Sequence, residues 1–582
     1  MVARRGAGLA VLIGVLLAAA LLSPGLGRAP FDDPGEGQHA EIAREVAGGR
    51  WLGLRLNGVR YFDKPPLLYW LDAVSFRLFG FTEGAARLAP LLGALLAVAA
   101  TTLLGARLLG PAPGVLAGVA LTSCTLFVAF ARYVRPESLF VAAIQWGFTG
   151  LLLARPGAGW AVAGCAALGA ASLAKDPLGL VGPLAAIGVA RAAAGRLRPR
   201  RAWLPGLGVV LLALIGLGWY AIAALTERSF LWYTVVDNHL LNALRMRAFP
   251  DEDVPLGALE FLIAATFGAF PWFLAAAAAV AAMVRRRAWR EPAEIPWVAL
   301  ALWAMGVLTL FTLSPFKLPH YGLPAYPALA LLAARAWRDA AARPRPLLVT
   351  HLLVMGLAGA GCAWAGRQDG RAFTTLVFGI SDVYSRKEAA WGQASPYPPW
   401  SAVQPLVVAA AAIMLAAAAG LALATARRSA RTGALVVAVA MVLMVPVVST
   451  GLAVTASARA VSGMAQEIRR RLGPEDVLVV EGPIENAGAI EFYSGHRPAL
   501  LDAESSVLGI GATFPDAAAT FWTPAEFVSA WGSARPPYLL TTREPGRGIV
   551  TRLAPGSARL LRAENGRWLY AHAGDGPGNG TR

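Results

Sequence analysis

Residues Phe31–Tyr69 read FDDPGEGQHAEIAREVAGGRWLGLRLNGVRYFDKPPLLY. The stretch is dense in Asp, Glu, Arg and Lys, and it lies between two long apolar runs, 6–26 and 85–106. A helix needs about 20 apolar residues to cross roughly 30 Å of hydrocarbon, so each flanking run is a candidate span. A charged segment looped out directly after a first span is expected to work at a membrane face. Within it, Ile42 and Val46 fall one helical turn apart, with Glu41, Arg44 and Glu45 elsewhere, which predicts an amphipathic surface helix over Gln38–Ala47. A turn at Asn57-Gly58 follows. Pro65-Pro66 then keeps Lys64 extended and starts a second helix, Leu67–Phe79, whose Tyr69, Trp70, Phe76 and Phe79 suit a membrane interface.

Outward from the loop, the chain continues as membrane. Of its 582 residues, 57% are hydrophobic and 15% charged, with a mean hydropathy of +0.54, which excludes a soluble domain or a single anchor. Apolar runs recur to about residue 455, making about thirteen spans. The net charge, 52 − 35 = +17, reflects arginines that set membrane orientation, and no nucleic-acid partner is implied. Cys124, Cys165 and Cys362 sit in apolar runs without ligand spacing and predict neither disulfide nor metal site.

With an N-terminus inside, the basic clusters 191–201, 285–290, 335–345 and 427–431 all fall on the inner side, as the positive-inside rule requires. The outer side then receives the loop 27–84, the loops 227–256 and 366–401, and everything after 456. Arg132, Arg135, Glu137, Lys175, Asp176, Lys317, His320 and Tyr321 gather at span mouths on that same side. Charges there are costly unless they meet a partner or a polar ligand, which predicts an extracytoplasmic active site. Residues 1–455 are read as a membrane domain. The segment 456–582 is read as a small outer α/β domain, with strands at 476–481, 537–542 and 567–571 and a helix at 486–493. The loop 366–400, with Tyr384, Tyr397 and Trp400, reads as a cover over the site or an acceptor contact, and 574–582 as a Gly-rich disordered tail.

The order acidic-Gly-x-x-Ala-Glu-Ile-Ala-Arg-Glu, then Leu-Asn-Gly-Val-x-Tyr-Phe-acidic-Lys-Pro-Pro-Leu-Leu-Tyr-Trp-Leu, resembles the first outer loop of the ArnT-like glycosyltransferases. These are grouped with the protein O-mannosyltransferases in the GT-C class. Ala174–Gly179, Phe270-Pro271-Trp272 and Lys317–Pro327 are similar to later segments of that family. The resemblance implies a polytopic α-helical GT-C fold in a bacterial inner membrane, with N-terminus cytoplasmic and site and C-terminus periplasmic. It implies inverting transfer of a sugar from a polyprenyl-phosphate donor to lipid A, another glycolipid or protein, without a nucleotide cofactor.

A phosphate leaving group calls for fixed cations. Lys64, Lys175, Lys317 and Arg44, with Tyr321, are the candidates to bind it. The family carries Asp-Glu-(Gly or Pro)-Arg-Tyr where this chain has Gly35, Glu36, Gly37, Gln38 and His39. Either Glu36 takes the acidic role, or Asp33 reaches in through a shifted turn, or activity is lost. The resemblance also implies a divalent ion between Asp63 and His239. A lipid transporter or flippase, and a non-catalytic membrane component derived from a transferase, are the alternatives. A transporter, though, predicts charges near mid-membrane rather than at one edge.

Overall fold

The computed structural model describes residues 2–33, 35–154, 159–198, 203–250, 254–381, 386, 397–503 and 505–574. Tyr384 of the expected cover and the tail beyond residue 574 lie outside the described residues.

Apolar runs with few polar interruptions can satisfy their backbone groups only as helices when water is excluded, and the membrane part is accordingly helical. Helix α1 is Val2–Leu22. Among the described residues, six helices are long and apolar enough to cross a membrane: Glu83–Leu109, Gly206–Thr226, Pro292–Leu313, Arg345–Ala365, Trp400–Ala426 and Ala430–Arg471. Two bent pairs bring the number to eight. The expectation of about thirteen is not reached by length alone, for two reasons. Runs expected as single spans are broken: Pro111–Thr122 meets Thr125–Ala131 at 72°, and Ala258–Gly268 meets Trp272–Arg285 at 102°. The first break is held by a polar contact, Trp272 Nε1 donating to Ser123 Oγ at 3.0 Å. Other runs form shorter helices, among them Trp160–Ala174 and Leu178–Ala193, each cut by the polar residues at its end.

In the outer loop, α2 is Gly37–Ala47 and α3 is Leu67–Phe79, joined by a hairpin of β1 (Arg55–Leu56) and β2 (Val59–Arg60). Asn57 and Gly58 take the left-handed conformations the turn needs. The surface position expected for α2 is not what forms. Gln38 to Ala43, Glu45 and Val46 are all buried, because α2 lies between α3 and the C-terminal domain. Its polar face is covered rather than solvated: Arg44 pairs with Glu41 at 2.7 Å and with Glu491 at 2.6 Å, and Arg497 reaches Glu491 at 3.1 Å. The approach is close enough that a Cβ on Gly37 would overlap Asp33 Oδ1 and the Ala489 backbone.

The C-terminal part carries a mixed six-stranded sheet in the order β5-β4-β3-β6-β8-β7. Its strands are β3 (Leu478–Glu481), β4 (Ala499–Leu501), β5 (Phe521–Trp522), β6 (Tyr538–Thr541), β7 (Ala558–Glu564) and β8 (Arg567–His572). β3, β4, β5 and β6 are parallel, so each connection must cross over, and the short helix Pro524–Trp531 precedes β6 in this way. The helix expected over 486–493 is instead a 3₁₀ turn, Ile484–Ala487, followed by the single-turn helix Ile490–Ser494. These two pieces are what dock on α2.

Candidate active site

A cavity of about 720 Å³ opens between the first outer loop, the membrane helices and the C-terminal domain. Its lining has two halves. Leu178, Gly182, Val189, Leu302, Gly306 and Leu310 make an apolar arm between the helices Leu178–Ala193 and Ile295–Leu313. At the arm's mouth stand Asp63, Lys64, Arg135, Glu137, Lys175, Asp176, His239, Arg247 and Tyr321.

Lys64 is aimed by its neighbours in sequence. Pro65 and Pro66 hold the segment extended, so the ammonium turns back onto the Asp63 carboxylate. Burial pushes the Asp63 carboxyl up, but Lys64 and the Asn238 amide, donating at 3.2 Å, outweigh it and hold it at about 2. Lys175 caps the helix Trp160–Ala174 and donates to Glu137 Oε1 at 3.0 Å; its Nζ lies 4.9 Å from the centre of the Tyr321 ring. His320 Nε2 is 3.3 Å from the same Glu137 oxygen. The segment that holds Asn238 and His239 is a π-helix, Trp232–Leu241. From it His239 Nε2 meets Asp176 at 3.0 Å, and this bond draws the imidazole pKa upward. Arg247 is tethered at the end of the same segment by Asp237, at 3.4 Å. His39 faces the cavity beside Tyr69, 2.9 Å away; burial, helped by Arg135, pushes its pKa down to about 3, so it is neutral.

Of the residues expected to bind phosphate, Lys64, Lys175 and Tyr321 are brought together here. Arg44 and Lys317 are not. Arg44 is spent on Glu41 and Glu491, and Lys317 donates to the Thr312 carbonyl at 3.1 Å. Glu36 and Asp33, expected as the acid, lie outside the cavity lining. Arg87 forks onto both Glu36 oxygens at 2.8 and 2.6 Å, and the Val134 amide donates to Glu36 Oε1 at 3.0 Å. Asp33 Oδ1 accepts from the Ala489 amide at 3.2 Å. Asp63 and His239 both face the cavity, but in separate bonds, to Lys64 and Asn238 and to Asp176. Two charged lining residues escaped the reading of the sequence, Arg247 and Glu485. Arg247 follows the quoted Asp237-Asn238-His239 closely enough to have been included. Nothing in the residues around Glu485 points inward.

The arrangement suits an anion carried on a long apolar tail: fixed cations and a tyrosine at the mouth, and a groove lined by Leu, Val and Gly behind them. ArnT from Cupriavidus metallidurans in complex with undecaprenyl phosphate superposes with a TM-score of 0.78 at 23% identity, covering 96% of this chain and 97% of that one. The chain has the ArnT fold. The apo form of that ArnT gives 0.77 at 24% identity. The family model for dolichyl-phosphate-mannose-protein mannosyltransferases matches residues 63–219. Among curated relatives, the undecaprenyl phosphate-alpha-4-amino-4-deoxy-L-arabinose arabinosyl transferase of Enterobacter sp. (strain 638) is 29% identical over 332 residues, which are 54% of this chain and 57% of the relative. The corresponding transferase 1 of Sodalis glossinidius is 29% identical over 359 residues, 59% of this chain and 61% of the relative. The chain thus spans less than two thirds of the length of these curated relatives. The resemblance in the first outer loop and the likeness in fold point to the same ArnT-like GT-C proteins, and the chain is a multi-pass membrane protein.

Proposed function

We propose that the chain is an inverting glycosyltransferase of a bacterial inner membrane, with its N-terminus cytoplasmic and its cavity on the periplasmic side. It moves a sugar from a polyprenyl-phosphate lipid to a glycolipid or protein acceptor. The observation that carries this reading is the cluster of Lys64, Lys175, Arg247 and Tyr321 at the mouth of an apolar arm. The two relatives, both transferases named for an undecaprenyl phosphate sugar, support the donor class.

In this reading the prenyl chain lies in the arm, and the phosphate meets Lys64, Lys175 and Arg247. These cations stabilise the charge that grows on phosphate oxygen as the anomeric bond breaks. Each is already held by a carboxylate or a ring, so little reorganisation is needed at reaction. Attack on the face opposite the phosphate inverts the anomeric centre. Glu36 we assign to the scaffold rather than to the chemistry.

The residues suggested for a divalent ion, Asp63 and His239, do not suit one as arranged. Lys64 competes as Asp63's counter-ion, and among the described residues the two do not converge with a third donor. Among the described residues, the group of three close carboxylates is Glu41, Glu45 and Glu491, which is occupied by Arg44 and Arg497. No step here passes through a metal.

The test is transfer of labelled sugar from synthetic polyprenyl-phosphate donors to a membrane extract by the purified full-length protein. Wild type is expected to transfer. Lys64→Ala is expected to lose at least about 100-fold in kcat/KM with its melting temperature little changed, because a fixed cation at developing charge contributes on that order. Lack of transfer with every donor, or an unaffected Lys64→Ala, overturns the reading in favour of a transport or non-catalytic role.

A further inference from the structure

We infer that Glu485 takes the proton from an attacking hydroxyl, so that the acceptor is a neutral alcohol rather than a phosphate. This rests on the transferase reading above and deepens it.

Where the family carries its leading aspartate this chain has Gly35, and there is no room for a side chain there: a Cβ would overlap the Tyr133 hydroxyl, which donates to Asp32 at 3.0 Å. Glu36, next in line, is sealed off by Arg87. The carboxylate for the acceptor side must therefore come from elsewhere. On the membrane side of the cavity, Asp63, Glu137 and Asp176 are the counter-ions of Lys64, Lys175 and His239.

Glu485 approaches from the opposite side. Among the described lining residues it is the one carboxylate contributed by the C-terminal domain, with Val507 beside it. The Val507 amide donates to Glu485 Oε1 at 2.9 Å and orients the group. Its 3₁₀ turn is held on the C-terminal side, by Arg567 Nε donating to the Asn486 carbonyl at 2.8 Å and by the Ala489 amide just beyond it donating to Asp33. A carboxylate so held reaches the cavity from the C-terminal part, whereas the prenyl arm is lined by the membrane helices Leu178–Ala193 and Ile295–Leu313.

Charge selects between acceptor classes. Histidines aside, the described lining offers four basic and four acidic side chains. With His239 protonated on Asp176 the cations number five, and one donor phosphate brings the site to balance. A phosphate acceptor would add further like charge beside Glu485, which is unfavourable at close range. A phosphate oxygen, moreover, needs no base, whereas an alcohol must lose its proton as it attacks. In the step proposed, the acceptor oxygen forms its bond to the anomeric carbon as the bond from that carbon to the phosphate oxygen breaks. The hydroxyl proton passes to the Glu485 carboxylate, and polyprenyl phosphate leaves as the anion.

The experiment uses full-length wild type, Glu485→Gln and Glu485→Asp in proteoliposomes. The donor that wild type consumes best is offered with octyl glucoside as hydroxyl acceptor or dodecyl phosphate as phosphate acceptor. Wild type should glycosylate octyl glucoside and not dodecyl phosphate. Glu485→Gln should lose at least about 100-fold in kcat, keep the donor KM within about twofold, and lose the acid limb of the kcat pH profile that Glu485→Asp retains. Undecaprenyl phosphate should still raise the melting temperature of Glu485→Gln, which reports an intact donor site. Preferred transfer to dodecyl phosphate, or a Glu485→Gln enzyme with wild-type kcat and pH profile, overturns this inference alone. Failure of wild type to consume any donor overturns the transferase reading and this inference with it.

Discussion

At the scale of single residues, the difference between Lys64 and Glu36 comes from what each can reach. Lys64 can turn only onto its own neighbour Asp63 and into the cavity, since two prolines stiffen the chain behind it. Glu36 turns away, into a buried fork with Arg87, which also donates to the carbonyls of Leu26, Ala29 and Pro30. The pair thereby ties the end of the first span to the start of the next. A buried pair that loses one partner leaves a charge uncompensated, at a cost of about 3–5 kcal/mol. Glu36→Gln is therefore expected to lower the melting temperature and the yield of folded protein markedly, while the fraction that folds retains most of its kcat; thermal unfolding and kinetics on the same preparation check both. The carboxylate was legible in the sequence, but its partner was not: Arg87 lies 51 positions away and looks like an ordinary residue at a helix start.

At the scale of elements, α2 packs between α3 and the C-terminal part. Its amphipathic spacing is real, yet the polar face meets Glu491 and Arg497 of the C-terminal domain instead of water or head groups. Periodicity reports that a face is polar, not what covers it. Asp33, just ahead of α2 and bonded to the Ala489 amide, gives the same junction a pH dependence. Burial, opposed in part by Arg567, pushes the Asp33 carboxyl up to about 8 from its ordinary 3.8. The folded protein thus keeps a proton that the unfolded chain gives up, and stability falls as pH rises from about 4 to about 8. Asp33→Asn, neutral throughout, should flatten that part of the profile; melting temperature followed across this range tests it, and an unchanged slope assigns the dependence to other groups.

At the scale of the whole molecule, the cavity exists because three parts of the chain meet: the loop 27–84, the helices on either side of the arm, and the C-terminal domain. Gly306 lines the arm with open space where its Cβ would be, whereas a Cβ on Gly182 would meet the Trp303 ring. Gly306→Phe should block the arm and weaken binding of undecaprenyl phosphate at least about tenfold, while binding of a short farnesyl phosphate changes little; competition between the two lipids measures it. The sequence by itself determined that the chain is a helical membrane protein, because hydrophobic length acts locally, through the cost of taking polar groups into hydrocarbon. It also offered Lys64, Lys175, Lys317, Arg44 and Tyr321 as candidates, of which Lys64, Lys175 and Tyr321 line the cavity. Only the tertiary structure decided which charges face the cavity and which face each other. Arg44, Lys317 and Glu36 left the site, and Arg247 and Glu485 entered it, because a buried charge takes whichever opposite partner folding brings within reach, and distance along the chain does not foretell that.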